Sequence, residues 1–291
     1  MNQSYILEIK GLRKEYSKFT LNNINVELEK GSIMGFIGPN GAGKSTTIKS
    51  ILNIISYDSG EIIINGINSK DNEVSTKEII GYVGDETSLY SQNYAKSVYK
   101  FIRRFYKNWD DEVFNSLIRK FNLNLDKKVK EFSKGMKAQF MLALSLSHHA
   151  KLFILDEPTS GLDPVIRAEI LDIIFNTVKE EGASVFFSSH ITEDIQKIAD
   201  SVTYINNGNI LLSDKKVNIL SNYKQVDFNQ DISCEFEKKL TFYRNKKLII
   251  HKSKIEEVIN LAKSYNIDSR KIEFTTPLLD EILLNLIKKQ N

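Results

Sequence analysis

The sequence predicts a layered α/β fold that carries a helical insert and, toward the C-terminus, a small α+β appendage. Three observations lead there. Short apolar runs alternate with helical patterns, the strand signal vanishes between 87 and 150, and the texture of the chain changes after Ser213.

Taken in order, the apolar runs 33–37, 62–64, 152–155 and 185–187 are short and bounded by Gly or polar residues. Such runs read as strands buried on both faces, as parallel sheets require. Helical patterns fill 44–55 and 164–179, and this alternation implies helices layered on a sheet. Between 87 and 150, Val98, Phe101, Ile102, Phe105 and Trp109 recur at helical spacing, which predicts a helical insert. After Ser213 the chain becomes rich in Lys and Asn, with short β-like runs near Phe242 and at 248–250. Ser253 with Glu256 makes a capping-box pattern ahead of Ile255, Val258 and Ile259, and Thr276-Pro277 opens a last apolar helix. The expected division is a main domain over 1–220, with its helical subdomain at about 87–150, and an accessory domain over 221–291.

A net charge of +3 arises from 40 basic and 37 acidic residues that interleave along the chain, so charge makes no case for nucleic acid. Cys234 is the only cysteine, which excludes an intramolecular disulfide and a CxxC site and suits a reducing cytosol. No apolar run approaches the ~20 residues of a membrane span. The first ten residues lack the charged-then-apolar pattern of a leader. A soluble chain, peripheral to a membrane at most, is expected.

Gly38-Pro39-Asn40-Gly41-Ala42-Gly43-Lys44-Ser45 fits GxxxxGK[ST] and stands between an apolar run and a helical pattern, the context this motif needs. Glycines let the backbone curl until successive N–H groups face phosphate oxygens, and the following helix N-terminus adds positive potential. Lys44 is expected to reach the β- and γ-phosphates, Ser45 to offer its hydroxyl to Mg2+, and Thr46 to complete the nucleotide-contacting segment. The run 152–155 ends in Asp156-Glu157, which delivers two carboxylates to the strand's carboxyl edge, where ligands of α/β sheets gather. Asp156 is placed to hold Mg2+, and Glu157 to polarise a water for in-line attack on the γ-phosphorus. His190 follows the run 185–187 through Ser188 and Ser189. Alone, a histidine at a strand end is an ordinary surface residue; beside this constellation its imidazole is a candidate ligand of the γ-phosphate or the attacking water.

Ser133-Lys134-Gly135-Met136-Lys137-Ala138-Gln139 lies between the phosphate loop and the two acids, and Ser160-Gly161-Leu162-Asp163 follows them. Together with His190, this order of motifs resembles the nucleotide-binding subunits of ABC transporters over about residues 5–215. The resemblance implies a P-loop NTPase (RecA-like) core that binds ATP and Mg2+. It implies that Ser133 and Gly135 close over the γ-phosphate held by a facing subunit, that Asp163 joins the nucleotide-contacting set, and that Tyr16 stacks on adenine; a core-packing role is the alternative for Tyr16. Two departures stand out: Lys134 and Met136 replace the usual glycine and glutamine of the signature, and Gly84-Asp85-Glu86 stands where a glutamine touches the metal, so Asp85 is expected to take that place. These features resemble exporter ATPases for drugs, antimicrobial peptides and lantibiotics, as does Thr275-Thr276-Pro277-Leu278 with Asp280 near the end. The resemblance further implies a second ATPase subunit, an identical copy being preferred over a paralogue, and an integral membrane permease subunit, with the chain on the cytoplasmic face of the membrane. Tyr90, Tyr94, Tyr99, Phe105 and Tyr106 are candidates for the permease contact, a helical core stripe with tyrosines at its border being the alternative. A nucleic-acid- or ribosome-associated ABC ATPase and a non-transporting regulatory ABC protein are the rival readings. One uninterrupted core opposes the first, and the intact Lys44, Ser45, Asp156, Glu157 and His190 oppose the second.

Overall fold

The computed structural model describes residues 4–84, 90–240 and 248–288. It divides into two compact units, Met1–Ser213 and Asp214–Asn291. The break falls earlier than the boundary expected at 220, because the helix after Ser213 belongs to the second unit.

In the first unit β1 (Tyr5–Tyr16) pairs antiparallel with β2 (Phe19–Glu29) on one side and with β4 (Ser59–Ile64) on the other, and β5 (Ile67–Asn68) extends the sheet in the order β2-β1-β4-β5. The run 62–64, expected in a parallel sheet, therefore sits in an antiparallel one. Its consecutive isoleucines conceal the alternation of a half-buried strand, for Ile62 and Ile64 are buried and Ile63 is only partly so. A six-stranded sheet runs β10-β9-β3-β8-β7-β6, with β3 (Ile33–Ile37), β6 (Ile80–Val83), β7 (Leu152–Asp156), β8 (Ser184–Ser189), β9 (Ser201–Asn206) and β10 (Asn209–Lys215). The pairs among β9, β3, β8, β7 and β6 are all parallel. Every residue of β3 and β8 is buried, as expected where both faces of a parallel sheet are covered.

Among the described residues, the helices of this unit outside the insert are α1 (Lys44–Ile51), α2 (Glu73–Glu78), α6 (Pro164–Glu181) and α7 (Thr192–Ile198). Helix α7 approaches β3 so closely that a Cβ on Gly35 would come within 2.2 Å of the Ile195 side chain. One apolar core, including Leu7, Ile24, Phe36, Ile48 and Phe186, runs from the antiparallel sheet through α1 into the parallel sheet. The turn between β9 and β10 adds a polar seam. Asn22 N–H donates to Gly208 O at 2.8 Å, Asn22 Nδ2 to Asn209 Oδ1 at 3.2 Å, and Gly208 N–H to Ala42 O at 2.9 Å.

The insert holds α3 (Ala95–Ile102), α4 (Asp111–Lys120) and α5 (Lys134–Leu146). Asp110 caps α4 by accepting from the N–H groups of Glu112 and Val113. The stripe read through Phe105 does not form the core, because α3 ends at Ile102 and 103–105 tightens into a 3-10 turn. Phe101 and Phe105 are 50% and 65% exposed and meet edge-on, while the packed centre is built from Val98, Tyr99, Phe114 and Phe140.

The second unit contains α8 (Lys216–Asn222), β11 (Tyr223–Phe228), α9 (Cys234–Lys239), β12 (Leu248–His251), α10 (Ile255–Ser264), β13 (Ile272–Thr275) and α11 (Leu279–Lys288). Its sheet, β12-β11-β13, is antiparallel, and Val226, Phe236, Leu248, Ile250 and Val258 form a core of its own. The expected Ser253 capping box is absent. His251 Nδ1 accepts from Ser253 N–H, drawing the serine into a 3-10 turn, and α10 starts at Ile255 with no side-chain cap. The last helix begins two residues beyond Pro277, and the apolar run near Phe242 lies outside the described residues.

Candidate functional site

Strand β3 ends at Ile37, and the chain turns back through Gly38 to enter α1 at Lys44. Two glycines in this turn have no room for a side chain. A Cβ on Gly38 would stand 2.4 Å from Ile205 O, and Gly43, at φ +113°, would drive one to 2.6 Å from Leu21 Cδ2. Gly41, at φ +79°, faces open space, Ala42 is buried, and Pro39 and Asn40 are exposed. The amides of Lys44, Ser45 and Thr46 precede the first α-helical bond, from Thr47 N–H to Gly43 O at 2.9 Å, so they stand at the positive end of the helix. Ser45 is exposed and Thr46 half-buried. The ammonium of Lys44, 6% exposed, donates to Gly38 O at 2.7 Å and Pro39 O at 3.2 Å, and lies 3.3 Å from Glu157 Oε1.

Parallel pairing sets β7 and β8 beside β3, so all three carboxyl ends open on one edge. At the end of β7, Asp156 Oδ1 accepts from Ser188 Oγ at 2.6 Å. Glu157 adopts φ +53°, a left-handed backbone uncommon for a residue with a Cβ, and its N–H is held by the Ser188 carbonyl at 3.2 Å. Its Oε1 is buried with no hydrogen-bond partner, facing only the Lys44 ammonium. Its Oε2 lies 2.7 Å from His190 Nδ1 and also receives His190 N–H at 3.3 Å. A carboxylate oxygen accepts in this bond, so Nδ1 is the donor and Nε2 is the ring nitrogen left to face the site.

The other sequence-identified residues fall into two places. Tyr16, 44% exposed, pairs across the β1–β2 hairpin with Phe19, whose ring reaches the Cβ position of Gly43. Ser133 is exposed at the N-cap of α5, its Oγ accepting from Met136 N–H at 3.1 Å. Gly135, one turn in, is buried so that a Cβ would meet Ile166 Cδ1 at 2.6 Å. Asp163 caps α6, accepting from Val165 and Ile166 N–H at 3.1 Å. A cleft between α5 and the turn after β7 is lined by Lys134, Lys137, Met141, Glu157, Ser160 and Leu162. The structure thus joins Lys44, Glu157 and His190 directly, brings Asp156 in through Ser188, and gathers Ser133, Gly135 and Asp163 at the first turns of α5 and α6. Asp85 lies outside the described residues. Of the aromatic candidates, Tyr99 bonds Asp111 and stacks on Phe114, and Tyr106 stacks on His148, so both serve the insert's own packing. Tyr90 is half-buried, whereas Tyr94 and Phe105 are 47% and 65% exposed.

Sequence reasoning missed the residues that fix this edge from behind. Ser188 steadies both acids, and its only signal was its place beside His190. Buried Asp194 on α7 accepts from Thr159 Oγ1 and from Arg167 Nε, each at 2.6 Å. Nothing in the sequence marked those three as a group.

A family model described as ABC transporter matches residues 21–160. The lantibiotic transport ATP-binding protein SrtF of Streptococcus pyogenes is 38% identical over 235 residues, spanning 79% of this chain and 99% of that protein. The bacitracin transport ATP-binding protein BcrA of Bacillus licheniformis is 36% identical, over 72% of this chain and 69% of that one. A solved structure described as the ATP binding subunit of an ABC transporter matches with a TM-score of 0.68 at 28% identity, covering 74% of this chain and 92% of that chain.

Proposed function

This chain belongs to the ATP-binding subunits of ABC transporters, and from that premise we propose that it is the ATP-hydrolysing motor for export of an antimicrobial peptide or drug-like substrate through a separate membrane subunit. The observation that carries the reading is the carboxylate of Glu157, bracketed by Lys44 on one oxygen and His190 on the other. Export and the cargo class rest on the likeness to SrtF and BcrA, whose names give lantibiotic and bacitracin transport.

In this reading Lys44 exchanges the carbonyls of Gly38 and Pro39 for the β- and γ-phosphates of ATP, while the first-turn amides of α1 hold the phosphate oxygens. Ser45 and Asp156 would hold Mg2+, for a hydroxyl and a carboxylate are the hard oxygen donors that this ion takes. When bound, the ion would supply positive charge that offsets the charge of the phosphates. Glu157 accepts the proton of a water in line with the γ-phosphorus, and His190, held by Glu157 at Nδ1, offers Nε2 to that water or to a protonated phosphate. Tyr16 stacks on adenine. Asp85 is assigned to a metal-held water from the sequence alone.

Exposed Ser133 at the α5 terminus, with the backbone of that first turn at Gly135, would meet the nucleotide of a second ATPase subunit, with Asp163 close to that interface; an identical copy is the preferred partner. No helix among the described residues is long and apolar enough to cross a membrane; the place at the cytoplasmic face through the permease subunit rests on the family. Nucleic acid has no part in this reading, and the second unit acts as an accessory domain.

The test is phosphate release and light scattering on Glu157→Gln with Mg-ATP, beside the unmodified chain. Turnover should fall roughly 10²–10⁴-fold with nucleotide binding kept, and the variant should become an ATP-dependent dimer. Undiminished turnover would remove Glu157 as base, and a variant that binds ATP yet stays monomeric would remove the identical partner.

A further inference from the structure

The loop that carries Glu157 and the segment that carries His190 are joined twice. The first joint is local to Glu157, whose Oε2 meets His190 Nδ1 and N–H and whose own N–H donates to Ser188 O. The second lies behind it. Thr159, two residues beyond Glu157 and fully buried, donates its hydroxyl to Asp194 Oδ2 at 2.6 Å, and Asp194 stands on α7, four residues beyond His190. The other oxygen, Asp194 Oδ1, accepts from Arg167 Nε at 2.6 Å, and Arg167 Nη2 reaches Glu193 at 3.3 Å.

Asp194 is 1% exposed. A carboxylate removed that far from water persists only when its oxygens are partnered, and here each is held by a short bond from a different segment. A joint confined to one end of a stretch leaves its other end free to swing. Two joints, at opposite ends of the same short stretch, fix the relative orientation of the two segments. The anchor for this second bond is α6, whose Ile166, next to Arg167, also backs Gly135 of α5.

We propose that Asp194, Thr159 and Arg167 form a positioning clasp that holds His190 Nδ1 on the Glu157 carboxylate while ATP is hydrolysed. None of the three touches the nucleotide; they act through the orientation of the base and its histidine. The inference rests on Glu157 being the base, and its test separates the two.

Thr159→Val keeps the side-chain shape and removes the hydroxyl; Thr159→Ser keeps the hydroxyl. Steady-state hydrolysis of Mg-ATP and thermal unfolding are measured on the full chain for both, beside the unmodified protein and Glu157→Gln. The valine variant should lose roughly 10–100-fold in kcat, since small misplacement of reacting groups is that costly, with KM for ATP within about twofold and activity returned in the serine variant. Asp194→Asn in the Thr159→Val background should add little, because the two act as one unit. A valine variant that melts lower yet keeps its kcat, or a loss that appears in KM alone, overturns the clasp while leaving Glu157 in place. Should Thr159→Val not fold, Arg167→Lys, which keeps the charge but loses the planar Nε donor, decides on the same kcat criterion. If the unmodified chain hydrolyses no ATP, the motor reading falls and takes the clasp with it.

Discussion

His148, on the turn after α5, shows how a single buried ring constrains the insert. Its Nε2 lies 3.0 Å from Ile80 O at the start of β6, its ring stacks on Tyr106 at 3.8 Å, and its Nδ1 is buried. Burial pushes the imidazole below its ordinary value of 6.5, so the folded protein favours the neutral ring. The unfolded chain therefore binds the proton first as pH falls, and the contribution of this group to stability is lost from about pH 6.5 downward toward the depressed folded value. Melting temperatures from pH 7.5 to 5 should show a steeper acid decline for the native chain than for His148→Gln; parallel curves would contradict this. At the same scale, the residues legible in advance were those whose type and neighbours announce chemistry, such as Lys44 after its glycines and Glu157 after an apolar strand. Asp194 was not legible, because its partners stand 35 and 27 positions away and a lone acid on a helix reads as solvated surface.

Among the elements, the centre of the insert is where one side chain matters most. Phe114 is fully buried, stacked on Tyr99 at 4.3 Å and edge-on to Phe140. Phe114→Ala should cost about 3–5 kcal/mol in urea-induced unfolding, and a loss under about 1 kcal/mol would mean that the insert does not pack around this ring. Element recognition from the sequence succeeded for three strands buried on both faces and passed over β6 and β9, whose Gly81 and Thr203 interrupt the apolar run. The run 33–37 coincides with β3, residue for residue, and 152–155 and 185–187 fall inside β7 and β8. It failed for β1 and β2. There Glu8, Lys10 and Arg13 break up the apolar residues, and register shifts between Ile9 and Leu12 and between Leu12 and Lys14 disturb the alternation that would mark a half-buried strand.

At the scale of the whole molecule, the two units own separate cores. A chain ending at Lys215, which keeps β10 whole, should retain the unfolding transition of the first unit; disappearance of that transition in calorimetry would show that the first unit depends on the second. The layered class was readable because a parallel sheet announces itself strand by strand. The change of texture after Ser213 coincides with the division, whereas the boundary drawn at 220 overshot it, because α8 carries no signal assigning it to either side. The polar seam from Asn22 to the β9–β10 turn has a further consequence, in the timing of birth. Asn22 finds its side-chain partner in Asn209, 187 positions later, so at ~5–20 residues/s the first sheet waits roughly 10–40 s for the segment that completes its edge. β2 stays an edge strand of the finished sheet, so what waits is the cover over its Asn22 end, and the pace of translation, rather than the stability of the finished protein, sets how long that end lies open to wrong pairing.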